Sequence, residues 1–188
     1  PRFRECSFAA AYPLGQVMLR DADVPLDVRI EAFNPLIPAD ADASGIPVAV
    51  LRFVLKNRTG KPVAASVCGN LLNFIGADGS NTRPGFAGTP NILGLLKANR
   101  NELASAPGVQ GVRMFTESLP ATDERFGTLA IATTARTGVS ARTAWARKSW
   151  GGSFIDFWDD FAADGRLEQR ALDGQDAPCA SLAVRLTV

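Results

Sequence analysis

The stretch VPLDVRIEAFNPLIPADADASGIPVAVLRFVLKN, residues 24–57, contains two segments with the pattern of β-strands. From Val24 to Ala32 apolar residues alternate with polar ones, and this period of two indicates a strand with one buried face and one wet face. From Ile46 to Lys56 both faces are largely apolar, so both should be covered. A connection rich in Pro and Asp, residues 34–45, separates the two segments. The stretch therefore predicts two strands of a sheet protein.

The sequence after residue 56 predicts a hairpin and then a long loop. NRTGKP, residues 57–62, is a strong turn signal, and residues 63–75 have the composition of a returning strand. The strands on either side of this turn should pair antiparallel. Residues 76–110 are rich in Gly, Asn and Pro and predict a loop, with a helical turn near residues 95–101. Loops of this length are often functional or pack on a neighbour.

The remaining sequence predicts short strands and one helix. The strands are expected at residues 111–117, 127–134, 142–150 and 182–188. The helix is expected from Ser153 to Ala163, with Ser153 as its N-cap and Gly165 after its end. The fold class predicted is all-β, an antiparallel β-sandwich with one short helix near the C-terminal end. No linker divides the chain, so a single domain spanning residues 1–188 is expected.

Charge and hydropathy argue against nucleic-acid and membrane roles. The net charge is +1, and Lys and Arg are spread along the chain, so no footprint for nucleic acid appears. The most basic stretch contains Arg136, Arg142, Arg147 and Lys148 and is interpreted as a solvated strand face rather than a phosphate site. No apolar run approaches the roughly 20 residues of a transmembrane helix.

The chain contains no histidine. This excludes Ser-His-Asp and Cys-His catalysis, His-ligated zinc and a histidine general base within the chain. Its three cysteines, Cys6, Cys68 and Cys179, fit no metal motif or disulfide scaffold, and Cys68 is interpreted as a small core residue. No catalytic residue, metal ligand or cofactor site is predicted.

The N-terminus gives little information on localisation. The chain begins at Pro1 without Met and shows no signal peptide, so we expect a cut or processed product. A soluble protein is expected, and its compartment is left open, with the cytoplasm as one option.

Two acidic clusters have residue types that could form chemical sites. Asp156, Asp159, Asp160 and Asp164 could form an acid/base pair of the kind used in glycoside hydrolysis or a calcium site, but an exposed helix face is the favoured interpretation. DADASG, residues 40–45, resembles the opening of a calcium loop. The twelfth position is Leu51 instead of the required Glu, so a turn stabilised by Asp and Ser side chains is predicted.

The aromatic residues offer possible sugar contacts. Flat rings can stack on sugars, and they are also the commonest large core fillers. For Trp158, between two Phe residues, core packing is predicted. Trp145 and Trp150 are retained as possible sugar-contact residues, and Tyr12 is a further aromatic candidate.

Two segments of the chain resemble one enzyme family. The first runs from Tyr12-Pro13-Leu14 through residues 24–57 and includes AFNPLIP, residues 32–38, and IPVAVLRF, residues 46–53. The second is FWDDF, residues 157–161, followed by Ala163-Asp164-Gly165. Together they resemble the N-terminal domain of non-lysosomal glucosylceramidases and related bacterial β-glucosidases, family 116 of the glycoside hydrolases.

The resemblance implies a non-catalytic role for this chain. In that family the N-terminal domain is a β-sandwich packed on a helical (α/α)6 barrel, and the barrel carries the Glu nucleophile and the Asp acid/base. The expected function is therefore an accessory domain that braces the barrel, with residues 76–110 as the candidate contact to the substrate rim. The expected partner is the barrel of the same polypeptide, possible ligands are glucosides, and this chain alone should be inactive.

Two other functions remain open at this point. A free-standing carbohydrate-binding module would need two or three exposed aromatic rings in one plane. A structural or interaction domain unrelated to sugars would need neither these rings nor a barrel.

Overall fold

The computed structural model describes residues 3–77, 98–171 and 178–188. Within these ranges the chain forms strands and helices in the order β1 (Glu5–Ala11), β2 (Leu14–Arg20), β3 (Leu26–Phe33), α1 (Ala41–Ser44), β4 (Val50–Asn57), β5 (Ala64–Leu72), β6 (Asn99–Ala106), β7 (Val109–Thr116), β8 (Leu129–Thr133), β9 (Val139–Arg142), α2 (Gly152–Asp164) and β10 (Cys179–Thr187). All sheets with a described register are antiparallel, so the all-β prediction is confirmed. Neither helix in these ranges is long and apolar enough to span a membrane.

The chain divides into two compact units. One contains Pro1–Ala65 with Thr187–Val188, and the other contains Ser66–Leu186. The first unit has a four-stranded sheet in the order β1-β2-β3-β4. The second has most of two three-stranded sheets, β5-β10-β9 and β6-β7-β8. The sequence analysis expects a single domain over residues 1–188. This expectation remains a prediction, because the two compact units do not test it.

The sheet of the first unit shows the alternation that the sequence predicted. Its register places apolar residues of all four strands in three rows on one face, namely Cys6-Leu19-Val28-Leu55, Phe8-Val17-Ile30-Phe53 and Ala10-Gly15-Ala32-Leu51. On the other face Glu31 forms ion pairs with Arg29 and Arg52. The period of two in residues 24–32 therefore does separate an apolar face from a charged one. The predicted cover over both faces of residues 46–56 is wrong, because Leu51 is 59% exposed and Phe53 is 41% exposed.

The connection between β3 and β4 contains the predicted turn. Asp40 caps the short helix α1, because its Oδ1 accepts a hydrogen bond from the backbone N–H of Ala43 at 2.9 Å. The hydroxyl of Ser44 accepts from the N–H of Ile37 and donates to its carbonyl. A turn held by Asp and Ser side chains is thus confirmed.

The prediction that the strands before and after residues 57–62 form a hairpin is wrong. β4 pairs with β3, whereas β5 lies beside β10 in another sheet. The side-chain amide of Asn57 donates to the carbonyls of Lys61 and Val188, and Val63 exchanges backbone hydrogen bonds with Val188. The turn is longer than a tight hairpin turn, and it directs the chain toward the C-terminal strand.

The second unit is a small sandwich of two sheets. Its core contains Val112 and Met114 from β7 and Ala180 from β10, with side chains from the other strands packed around them, namely Leu71, Leu129, Ile131 and Ala141. Because these side chains come from both sheets, the two inner faces pack against each other.

Part of the loop predicted at residues 76–110 is a strand. β6 pairs with β7 from Asn99 to Ala106 across the two-residue turn Pro107-Gly108, and Gly108 has φ 85°. The Asn residues that favoured a loop have partners here: Asn73 donates to the carbonyl of Arg100 and to Oδ1 of Asn101, and Asn99 donates to the carbonyl of Ile75. A helical turn is predicted near residues 95–101, but residues 99–101 belong to strand β6, so the prediction is wrong there. Residues 78–97 lie outside the described residues.

The strand predicted at residues 142–150 is also wrong, because β9 ends at Arg142. The predicted helix is confirmed as α2, and Gly165 at φ 73° follows its end as expected. Its N-cap is Gly151 rather than Ser153. The hydroxyl of Ser153 instead accepts from the N–H of Lys148 and donates to the Lys148 carbonyl.

Gly138, at the start of β9, is a position where a side chain should not fit. Its φ is 71°, and a Cβ built on it would lie 2.0 Å from the carbonyl oxygen of Arg185. We predict that Gly138→Ala lowers the free energy of unfolding by about 1–3 kcal/mol, because both strain and collision are introduced. Chemical denaturation would measure this loss.

Gly127→Ala is the matched control, because no described residue other than its two chain neighbours has an atom within 4 Å of the Cβ position there. It should change stability by less than about 0.5 kcal/mol. Equal losses for both variants would contradict the structural account of Gly138.

Candidate functional site

Arg142 lies at the end of β9 and connects the sheet to α2. Its side chain is only 6% exposed. Nη1 lies 3.0 Å from a carboxylate oxygen of Asp156, and Nη2 lies 3.0 Å from one of Asp160. Nε donates to the carbonyl of Glu168 at 3.3 Å. The buried guanidinium therefore has partners on the helix and on the segment that follows it.

The spacing of the two carboxylates explains this arrangement. Asp156 and Asp160 are four residues apart on α2, so they lie on one face of the helix. Lys148 adds a second cation, with Nζ 2.6 Å from Asp156. Oδ2 of Asp160 also accepts from the N–H of Glu168 at 3.1 Å. The side of α2 that faces Arg142 is thus acidic, and each of its two half-buried carboxylates is paired.

The hydrogen bond from Lys148 lowers the pKa of Asp156 below its usual value, and Arg142 acts in the same direction against the opposing effect of burial. A carboxyl group whose pKa is lower in the folded state stabilises the fold above its unfolded pKa. This contribution is lost as the pH falls through the folded-state pKa. Asp156 is therefore suited to an ion pair, whereas a general acid needs a raised pKa.

These contacts correct two predictions. Arg142 is not part of a solvated basic strand face, because it is buried. Asp156 and Asp160 are not on a simple exposed helix face either, although Asp159 and Asp164 are exposed. Both wrong predictions have the same cause. Arg142 pairs with carboxylates that lie 14 and 18 positions further along the chain, and the local sequence pattern does not indicate such contacts.

A layer of aromatic rings lies between α2 and the sheet. Phe157 is buried, and the ring of Trp145 stacks on it with centroids 4.7 Å apart and planes 14° apart. The indole Nε1 of Trp145 donates to the hydroxyl of Ser181 at 2.8 Å. Cys68 and Phe161 pack against the same cluster, which agrees with the prediction that Cys68 is a small core residue.

A second group of large apolar residues, three of them aromatic, lies in or next to α2 and remains on the surface. We call Trp150, Phe154, Ile155 and Trp158 the α2 aromatic surface. Trp158 is 43% exposed, so its predicted core packing is wrong. The rings of Phe154 and Trp158 are nearly parallel, 11° apart with centroids 6.5 Å apart. Trp150 is 85% exposed and has φ 57°, in the left-handed region that large residues rarely adopt.

The two residues predicted as sugar contacts occupy different environments. Trp145 is half-buried in the packed layer, and Trp150 is on the surface. Tyr12 is exposed and belongs to the other compact unit. Trp145 therefore packs against Phe157, whereas Trp150 is exposed. A sugar contact by either residue remains a prediction.

One family model matches almost the whole chain. The family model for the N-terminal part of glycosyl-hydrolase family 116, described as beta-glucosidase 2, matches residues 2–188. The chain belongs to this family. No curated protein sequence matches it.

In this family-116 N-terminal domain, the described residues do not form an evident metal site. Across residues 3–77, 98–171 and 178–188, no group of three or more His, Cys, Asp or Glu side chains is placed to hold an ion. The densest carboxylate cluster is bound to Arg142 and Lys148. Its chemistry is therefore that of a salt-bridge network between a helix and a sheet.

Arg142→Ala should strongly destabilise this family-116 domain. The change leaves two half-buried carboxylates without their shared cation, and breaking a buried pair from one side costs about 3–5 kcal/mol. Denaturant unfolding would measure the loss. Arg136→Ala removes an exposed Arg of the same predicted basic stretch and should cost less than about 0.5 kcal/mol. A small effect of Arg142→Ala would contradict the structural role of the network.

The cysteines of the domain should differ in reactivity. Burial raises the pKa of Cys68 to about 11 and that of Cys179 to about 12, whereas Cys6 is exposed. Since the thiolate is the nucleophile, iodoacetamide at mildly alkaline pH should modify only Cys6 in the folded protein and all three in denaturant. Mass spectrometry of tryptic peptides would show the sites, and fast native labelling of Cys179 would contradict the described burial.

Proposed function

We propose that this chain is a non-catalytic accessory domain that packs against the catalytic part of a family-116 β-glucosidase. The observation that carries the proposal is the match of residues 2–188 to the N-terminal part of that family. The sequence resemblance supports a finer proposal, in which the partner is an (α/α)6 barrel that carries the retaining Glu and Asp. A glucosylceramide substrate belongs to this finer proposal as well.

The described chemistry of the domain supports a role without catalysis. Asp156 and Asp160 have the residue type of a glycosidase acid/base pair, but both are held by Arg142. Hydrolysis requires one carboxyl group that can be protonated near the working pH. Lys148 and Arg142 lower the pKa of Asp156 instead. The chain also has no histidine that could replace a carboxyl group as the proton donor.

The contact with the catalytic part is proposed at the α2 aromatic surface. A helix that packs on a sheet by one face normally exposes polar residues on the other. On α2 the sheet-facing side contains Phe157, yet Phe154 and Ile155 are more than half exposed. Contiguous exposed apolar groups of this kind mark interaction sites. The proposed contact of residues 76–110 with the substrate rim rests on the resemblance, and residues 78–97 of that segment lie outside the described residues.

A second candidate function is carbohydrate binding by the domain itself. The exposure of the Phe154 and Trp158 rings favours it, because sugars stack on exposed ring faces. Trp150 would be the third ring. In this function the same surface would bind a glucoside rather than protein.

The proposed function predicts that the catalytic part of the enzyme, expressed as a separate chain, binds this domain. Trp158→Ser should weaken the complex at least about tenfold, as expected for a buried aromatic anchor. Phe126→Ser is the matched control, because Phe126 is 44% exposed and lies outside α2. Isothermal titration calorimetry would compare the variants.

Three outcomes would contradict this function. The first is hydrolysis of an aryl β-glucoside by the purified chain alone. The second is absence of any complex with the catalytic part. The third is quenching of tryptophan fluorescence by cellobiose that disappears in Trp150→Ala, since this result would favour the carbohydrate-binding module.

A further inference from the structure

β1 is an edge strand that the rest of the described chain leaves open. In the order β1-β2-β3-β4 it has a neighbouring strand on one side only. All seven of its residues, Glu5–Ala11, are exposed. Within residues 3–77, 98–171 and 178–188, no hydrogen bond joins a backbone group of β1 to any segment other than β2. The outer edge of β1 is therefore accessible to another strand.

The alternation of hydrogen bonds across the sheet identifies the outward backbone groups of β1. The N–H of Arg58 donates to the carbonyl of Pro25 at 2.9 Å, one step beyond the last pair of the β3-β4 register. Hydrogen-bonded pairs occur at every second position of an antiparallel ladder, and a residue of a central strand bonds to one neighbouring strand only. Carried through the continuous registers of the four strands, this alternation places the outward N–H and C=O groups on Cys6, Phe8 and Ala10.

β1 lacks the features that usually protect an exposed edge. It contains neither Lys nor Pro, and its register with β2 is continuous from Glu5 to Ala11, so no bulge turns it away. Its one charged residue is Glu5, at the start of the strand. A long, uncharged edge of this kind is a template for pairing with another chain.

The outward groups of β1 are arranged symmetrically about Phe8, so the strand is complementary to itself. In an antiparallel pair of two β1 strands centred there, Phe8 lies opposite Phe8 of the second copy, and Cys6 of each copy lies opposite Ala10 of the other. Every outward N–H and C=O group of β1 then has a partner. The same register places Glu5 opposite Ala11, so the carboxylates of the two copies do not face each other.

The side chains in this register also match. Phe8 is 69% exposed and starts the apolar row that continues through Val17 and Ile30 to Phe53. Pairing of two β1 strands would join this row to its own copy. Contact between the two Phe8 rings would remove apolar surface from water, and aromatic pairs across strands stabilise a sheet.

We propose that two copies of this chain associate through β1, with a twofold axis at Phe8, and form one continuous antiparallel sheet with four strands from each copy. A second copy is the partner because the centred register satisfies every outward group, keeps like charges apart and continues the apolar rows. A single pair of strands is a small interface, so the expected dissociation constant is about 1–100 μM. This association is independent of the proposed accessory function and of the contact proposed for α2.

Sedimentation equilibrium of the purified chain measures this association and its site. Phe8→Glu should keep the fold, since Phe8 is mostly exposed, and should raise the dissociation constant at least about tenfold, because two like charges would lie directly opposite each other. Leu51→Glu is the matched control. Leu51 is 59% exposed and lies on the same apolar face, but it belongs to β4 at the opposite edge of the sheet. This variant should leave the dissociation constant unchanged, whereas dimers formed by stacking of the apolar faces would be weakened by it.

Disulfide cross-linking tests the register. In the proposed dimer the new thiol of Ala10→Cys lies opposite Cys6 of the other copy, with Cα atoms about 5.5 Å apart, which a disulfide can span. In Ala11→Cys the new thiol lies opposite Glu5 and on the other face of the sheet. During air oxidation with copper phenanthroline, Ala10→Cys should form covalent dimers at least about tenfold faster than Ala11→Cys on a non-reducing gel.

Three results would overturn the proposal. The first is a chain that stays monomeric at about 1 mM. The second is a dimer that Leu51→Glu weakens as much as Phe8→Glu does. The third is cross-linking of Ala10→Cys and Ala11→Cys at equal rates.

Discussion

A guanidinium group cannot be buried without partners, and this constraint organises the second unit. Arg142 at the end of β9 is buried and needs anions on the side of the sheet that it faces. Asp156 and Asp160 supply them from one face of α2. The helix must therefore lie where both carboxylates reach the same cation, which also brings Phe157 onto Trp145. Because α2 is held in this position by Arg142, Phe154 and Trp158 lie on the side of the helix that remains exposed.

The local sequence pattern predicted the strands and the helix end that depend only on neighbouring residues. The alternation of residues 24–32 and the apolar run near β4 correspond to paired strands, and Gly165 ends α2 as its freedom at positive φ permits. The Pro107-Gly108 turn is a local signal too, but Asn99 and Asn101 give the segment a loop-like composition. Their amides form hydrogen bonds inside the sandwich, so they suit a strand here.

Three of the errors of prediction involve contacts between distant parts of the chain. The partner of β5 is the C-terminal strand, more than a hundred residues away, so the turn at residues 57–62 gave no indication of it. The ion pairs of Arg142 and the exposure of Trp158 depend in the same way on how α2 packs on its sheet. The family was recognisable from short motifs, and its match over residues 2–188 carries the functional conclusion. The described structure adds an exposed aromatic surface on α2.

We propose that the acidic face of α2 holds the helix to the end of β9 and performs no acid/base chemistry. An NMR titration that follows the side-chain carboxyl carbon of Asp156 tests it most directly. If Lys148 and Arg142 hold this group as an ion pair, its pKa lies below the usual value for aspartate, and the signal does not change around neutral pH. A pKa raised toward neutrality, as in the general acid of a glycosidase, would contradict the account.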